Sequence, residues 1–223
     1  MKDKILIDAH IHTSGISKCS RVPAEELVKI CSEQGLGGIV LTNHYKRISV
    51  DCDFNLWSEK YIEEYRHTKQ LGEEIGLKVF FGVEFTLDCM PKNDFAVYGL
   101  SEDFIISSNP LYELQFDEFV NVMHQENALV FHAHPYRNTT PVDGTLIDGV
   151  EINCHPLYRT NKRQRVTEFA DKYDLRISCG SDYHGDTYKS LCGILVDKSI
   201  SSTEEYVRYL RETKRPELVI ADI

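Results

Sequence analysis

The sequence predicts an α/β fold in which a parallel sheet closes, or nearly closes, into a barrel. Strand-like apolar runs alternate with helical segments along the chain, the order that lays helices over the faces of a parallel sheet. Six of those runs end in a side chain of metal-binding type, from His10 near the start to His184 far along the chain. Barrels of this kind carry their functional groups at the C-terminal ends of the strands. A doubly wound open sheet also gathers sites at strand ends, but at one switch point. Contributions from six strands therefore favour the barrel.

Residues 5–12 are apolar enough for a first strand, and a polar loop, Thr-Ser-Gly-Ile-Ser-Lys-Cys-Ser-Arg, follows. Pro23 suits a first helical position, and residues 24–34 place Leu27, Ile30 and Cys31 on one helix face, with Gly35 as the stop. The run 38–42, bounded by glycines, predicts a second strand. The same reading gives a helix at 56–75, strands at 78–85 and 95–100, a helix at 116–126 and a strand at 128–133. A strand at 149–153, a helix at 162–173, strands at 176–179 and 192–196 and a helix at 203–212 complete the series.

A chain of 223 residues with 42% hydrophobic content can bury a substantial core. The candidate ligands span most of it without a Pro/Gly/Ser linker or an internal repeat, so a single domain over 1–223 is expected. The formal net charge of −10 argues against a broad basic face for nucleic acid. It is compatible with a small phosphorylated substrate, because bound cations reverse the local field. Seven cysteines, an odd number without framework spacing, are expected as free thiols. With no secretory signal and no apolar run long enough for a membrane, the expectation is a cytoplasmic protein.

Imidazoles and carboxylates together suit Zn, Mn or Fe. In an extended strand, residues two apart share a face, so His10 and His12 can reach one ion. The same spacing joins His132 to His134 and Asp182 to His184. A single His-x-His is a weak signal; three two-apart pairs at strand ends are a strong one. Asp8, on the same face as His10, is positioned to orient a ligand histidine. His132 is open to a structural or a supporting role, Cys154 is expected as a small buried hydrophobe, and His67 and His124 fall on helices as surface residues.

The ordered set His10-Ile-His12, Thr42-Asn43-His44, Gly82-Val83-Glu84, His134-Pro135 and Ser181-Asp182-Tyr183-His184 resembles the PHP (polymerase and histidinol phosphatase) family over about residues 5–197. The resemblance implies a distorted TIM-like (β/α)7 barrel carrying two or three divalent ions. It implies one ion on His10, His12, Glu84 and Asp182, a second shared by Glu84 and His134, and a third on His44 and His184. The chain departs from the family pattern at three points. The loop after the first motif reads Ser17-Lys18-Cys19-Ser20 where Asp or His is usual, Asn43 replaces an acid, and no histidine stands near Tyr98-Gly99-Leu100. Lys18, Cys19, Asn43, Ser101, Cys154 and His155 are the candidates to make up those losses.

The function this implies is a metal-dependent phosphoesterase that hydrolyses a small phosphomonoester, in the manner of a histidinol phosphatase, with metal-activated water as the nucleophile. Arg137 and Arg159 are candidate substrate-binding residues, since a guanidinium grips phosphate oxygens bidentately; Lys46 and Arg47 are comparable. The alternatives are a nuclease or nucleotide phosphodiesterase, disfavoured by the acidic balance, and a non-catalytic metal-binding barrel, motivated by the missing ligands.

Overall fold

The computed structural model describes residues 3–155, 160–185 and 192–220. Among them, strand β1 (Lys4–Ile11) leads through helix α1 (Ala24–Glu33) to β2 (Gly38–Leu41) and the two-residue β3 (His44–Tyr45). Helix α2 (Phe54–Ile75) returns the chain to β4 (Lys78–Thr86), which turns into β5 (Asp94–Tyr98). Short α3 (Glu102–Ser107) and α4 (Phe116–Gln125) precede β6 (Leu129–His132) and β7 (Gly149–Asn153). Helix α5 (Thr160–Tyr173), β8 (Arg176–Gly180), β9 (Gly193–Asp197), α6 (Thr203–Glu212) and β10 (Glu217–Val219) follow.

The ten strands form one sheet in the order β10-β9-β1-β2-β4-β5-β6-β7-β8, with β3 paired to β4. The sheet curls so that β8, at one end of this order, packs beside β1, and Ile11 and Tyr183 form an isolated bridge there. The barrel is thus nearly closed, with a seam between β8 and the β1–β9 side that strand pairing among the described residues does not fill beyond that bridge. The expected α/β barrel is present; the expected uniform direction is not. β5 runs antiparallel to both β4 and β6, and β9 and β10 are likewise reversed against their neighbours.

Local chemistry explains the elements. β1 is buried from Leu6 to Ile11, and every residue of β2 and β6 is buried, as expected for strands covered on both faces. Helix α2 starts where the Asp53 side chain accepts hydrogen bonds from the Asn55 and Leu56 amides, and stops at Gly76, whose φ of 79° ends it in a left-handed turn. Trp57, Tyr61, Ile62 and Tyr65 form its buried face. Pro23 is the cap before α1 rather than its first helical residue, with ψ at 162° still extended. Burying side chains such as Phe80, Phe85 and Phe131 contributes about 1.5–3 kcal/mol each. None of the described helices is long and apolar enough to cross a membrane.

Candidate metal centre

Because β1, β2, β4, β6, β7 and β8 all point one way, their C-terminal ends bring His10, His12, His44, Glu84, His134, Asp182 and His184 to one end of the barrel. His10 and His12 share a face of β1 as their spacing predicts, with Nε2 atoms 3.0 Å apart. Between and around them stand Glu84 (3.3 Å from His10 Nε2, 3.5 Å from His12 Nε2) and Asp182 (3.5 and 3.1 Å). All four side chains are buried. Gly180 makes this approach possible: a Cβ there would fall 2.4 Å from the His10 Cβ.

The other ring nitrogens decide what this arrangement can hold. His10 Nδ1 lies 2.8 Å from the buried Glu151 carboxylate, so it carries the proton and donates. Ser17 donates its single hydroxyl proton to Asn43 Oδ1, which is oriented by the Thr13 amide, and Ser17 Oγ therefore accepts from His12 Nδ1 at 3.2 Å. His184 Nδ1 donates to the Asp182 carbonyl at 2.8 Å. In their neutral forms all three imidazoles thus turn an unprotonated Nε2 inward. Two such nitrogens at 3.0 Å, flanked by two carboxylates, share a positive charge, either a proton between them or a metal cation that displaces it. The pairing of imidazole and carboxylate donors fits a divalent metal.

Glu84 extends the centre in both directions. Its Oε1 is 2.8 Å from His134 Nε2, and Asp94 Oδ2 is 3.7 Å from the same nitrogen, so Glu84, Asp94 and His134 form a second cluster. Its Oε2 is 2.6 Å from His44 Nδ1, yet neither atom meets the other in hydrogen-bond geometry. Both atoms are buried without a hydrogen-bond partner among the described residues. His44 and His184 face each other through Nε2 atoms 3.5 Å apart and, with His12, make a third cluster.

Electrostatics follow from this crowding. Burial disfavours charge on His10, but the carboxylates of Glu151, Glu84 and Asp182 prevail and raise its pKa well above the ordinary value. Burial and the neighbouring His184 and His44 hold His12 neutral, well below it. Glu84 and Asp182 stay ionised despite burial because of His10, helped by His44 on Glu84 and by His12 and Arg137 on Asp182. The backbone is strained here too: His134 and Asp182 have φ of 30° and 55°. Hydrogen bonds from the His134 amide to Glu151 and from the Asp182 amide to the His10 carbonyl, both 2.8 Å, hold these conformations.

Several expectations are revised by this geometry. His132 and His134 do not share a face, because β6 ends at His132 and the positive φ of His134 breaks the alternation. His132 packs on Phe95, near Asn93, and burial together with His134 pushes its pKa down to about 3. Asp8 orients no imidazole; its Oδ1 accepts from the His10 and Ser181 amides. Asn43 braces the loop through Thr13 and Ser17, including a donated bond from Nδ2 that an acid would lack.

Lys18 pairs with Asp51 on the exposed surface, and Arg47 with Asp88 and Glu113. Ser101 lies at the far end of the barrel, because β5 is reversed, and caps α3 by accepting from the Phe104 amide. Cys154 is buried as expected. His155 is held through its amide on Asn153 Oδ1. His67 and His124 are exposed and paired with Glu25 and Asp148.

Cys19 stands at the rim beside His44 and His184. Partial burial pushes its thiol up, but hydrogen bonds to both histidines prevail and bring it down to about 6. Arg137 reaches in from the loop after His134 and donates from Nη2 to Asp182 Oδ2 at 2.5 Å. Arg159 lies outside the described residues. Sequence reasoning misses Glu151, Asp94 and Ser17. Glu151 and Ser17 lie inside or beside motifs already singled out, whereas Asp94 is at the start of its strand, where a parallel reading does not look.

Fold and site together define an α/β barrel with an imidazole–carboxylate centre suited to divalent cations. Within that class, the chain belongs to the PHP domain family, whose sequence model matches residues 8–213. No curated protein matches the chain. Among solved structures, it is similar to a two-domain protein from Bacteroides vulgatus containing a predicted PHP-like metal-dependent phosphoesterase. That match has a TM-score of 0.70 and 18% identity, and covers 97% of this chain and 65% of that one. PsfC from Pseudomonas syringae matches with a TM-score of 0.72 at 16% identity, covering 98% of this chain and 92% of that one. An amidohydrolase from Chromobacterium violaceum, solved with sulfate and no metal, gives 0.56 and 12%, with 81% and 88% covered. At these identities the likeness is one of fold.

Proposed function

We propose that the protein is a metal-dependent phosphoesterase acting on a small phosphomonoester. The observation that carries this reading is the buried convergence of His10 and His12 Nε2 on Glu84 and Asp182. Membership of the PHP family and the phosphoesterase named for the Bacteroides vulgatus neighbour support it.

In this reading His10, His12, Glu84 and Asp182 hold one ion, Glu84 also serves a second with His134 and Asp94, and His44 and His184 serve a third. Divalent ions so placed supply Lewis acidity toward a phosphoryl oxygen and lower the pKa of water to make a nucleophile at neutral pH. The chain contributes the rest. Glu151 and Ser17 fix the tautomers of His10 and His12, so that lone pairs rather than protons face the ions. Glu84, a member of two clusters and beside His44 of the third, supplies the negative charge that lets cations sit close together. Arg137 holds Asp182 and, with five N–H donors on one guanidinium, can also meet a phosphate oxygen at the rim. Arg159 is proposed as a second phosphate contact on the sequence argument.

The test is turnover of a phosphomonoester panel, histidinol phosphate included, by protein of measured Mn or Zn content. Metal-dependent release of phosphate from at least one ester is expected, with activity lost on chelation. Bound metal without turnover of any ester would leave a metal-binding barrel and reject the enzyme. Salt-sensitive cleavage of oligonucleotides in place of monoesters would move the substrate class to nucleic acid.

A further inference from the structure

Three of the seven cysteines meet in one buried place outside the centre described above. Cys154 follows the last residue of β7, Cys179 is the penultimate residue of β8, and Cys192 precedes the first residue of β9. Their exposures are 0%, 0% and 1%, none is in a disulfide, and their sulfur atoms all lie within 4.8 Å of one another. The sulfurs of Cys154 and Cys179 are 3.7 Å apart. Gly180 faces His10, so Cys179, one residue earlier in an extended strand, points to the opposite side of the sheet. The thiol cluster therefore sits behind the wall that carries the histidines.

We propose that Cys154, Cys179 and Cys192 form a thiolate site for a soft d10 cation, zinc being the reference case, which fastens the barrel across its seam. Sulfur is the donor such ions select. A tetrahedral zinc with Zn–S bonds of about 2.3 Å places its sulfurs roughly 3.8 Å apart, close to the Cys154–Cys179 separation. A disulfide would instead need the two sulfurs at about 2.05 Å.

Position gives the site its purpose. Cys154 and Cys179 belong to the β7–β8 edge, which the Cys154 amide extends by bonding to the Gly180 carbonyl at 2.8 Å. Cys192 belongs to the β9 side, which pairs with β1. Among the described residues, these sides meet in the Ile11–Tyr183 bridge and its backbone hydrogen bonds rather than in a continued strand ladder, and a shared ion would add a second fastening. Binding displaces the thiol protons as the Zn–S bonds form, with no change of oxidation state.

The test is X-ray absorption at the zinc edge on the full chain, reduced and loaded with zinc alone, with metal equivalents counted in parallel. The expected spectrum has a sulfur shell near 2.3 Å beside the shorter nitrogen and oxygen shell. That sulfur shell should persist in Cys19→Ala, which removes the exposed rim thiol. In Cys154→Ala/Cys179→Ala it should fall to the contribution of Cys19 alone, with loss of one equivalent of zinc. Absence of sulfur scattering from the wild type, or its loss in Cys19→Ala, would overturn the proposal. Neither the wild type nor Cys19→Ala disturbs the core, so these two spectra decide the matter even if the double variant fails to fold. The outcome is independent of phosphoesterase activity, which the zinc shell does not report.

Discussion

The two ends of the candidate centre are built differently. At the inner end, His10, His12, Glu84 and Asp182 are buried, and each histidine has its outer nitrogen tied to a protein group. At the rim, His44 is only slightly exposed, His184 is partly exposed and Cys19 is exposed, and the two imidazoles face each other at 3.5 Å. The inner set is preorganised, with lone pairs already aimed and nothing left to rotate. The rim set is less constrained, because Cys19 hangs from the β1–α1 loop and His184 from the loop that follows β8, while only His44 is pinned, in β3 beside β4. On the proposed reading, the inner ion is held tightly and the outer one exchanges with solvent.

The strongest challenge to this contrast is Glu84→Gln, which keeps the shape and removes the charge that two of the clusters share and that lies against His44 of the third. Metal titration and phosphatase assays should show at least about a hundredfold loss of activity and the loss of more than one equivalent of metal. Retention of full metal content would break the idea of a shared carboxylate. Glu151→Gln probes preorganisation alone, since it touches no proposed ion. A drop of about 10- to 100-fold in affinity for the innermost ion is expected, read by competition with a chelator.

Asp94→Asn comes next. It should weaken the ion shared with His134 by roughly tenfold while the inner ion stays bound, which metal counting at graded chelator concentrations can resolve. Cys19→Ser tests the rim: the outermost ion should be lost first, with less than about a tenfold change in affinity for the others. An equal loss of all ions would erase the distinction between the two ends. The smallest effect belongs to Ser101→Ala, at the opposite end of the barrel. Removing this cap should cost about 1 kcal/mol in thermal or denaturant unfolding and leave kcat/KM unchanged.

The contrast also marks where sequence reading succeeds. The inner pair is legible because strand alternation is a rigid rule, so His10 and His12 have to share a face once β1 is recognised. The barrel is legible from the alternation of strands and helices, and β7 and α6 fall at their expected bounds. Direction is not legible. The segment around Phe95 to Tyr98 reads equally well as a strand running either way, and only its pairing with β4 and β6 shows that it is reversed. That single fact puts Asp94, rather than Ser101, at the end of the barrel where the ligands converge. His132 and His134 mislead for a related reason: the two-apart rule holds only while the backbone stays extended, and β6 ends one residue after Phe131. Glu151 is hidden because a buried carboxylate between Val150 and Ile152 has no signature until the imidazole it holds is in place.

The reversal of β5 has one more consequence. In a barrel of parallel strands, each strand returns through a helix, and the loops above the site are entries to those helices. Here β4 turns directly into β5, so residues 87–93 form a hairpin loop on the same end as Glu84 and His134. A hairpin tip can lengthen, shorten or change its side chains without displacing a helix or altering the sheet beneath it. On the proposed reading, substrate preference is rewritten at the largely exposed tip of that stretch, residues 89–92, while buried Leu87 and Asn93 and the bond from the Asp88 amide to the Tyr112 carbonyl anchor it.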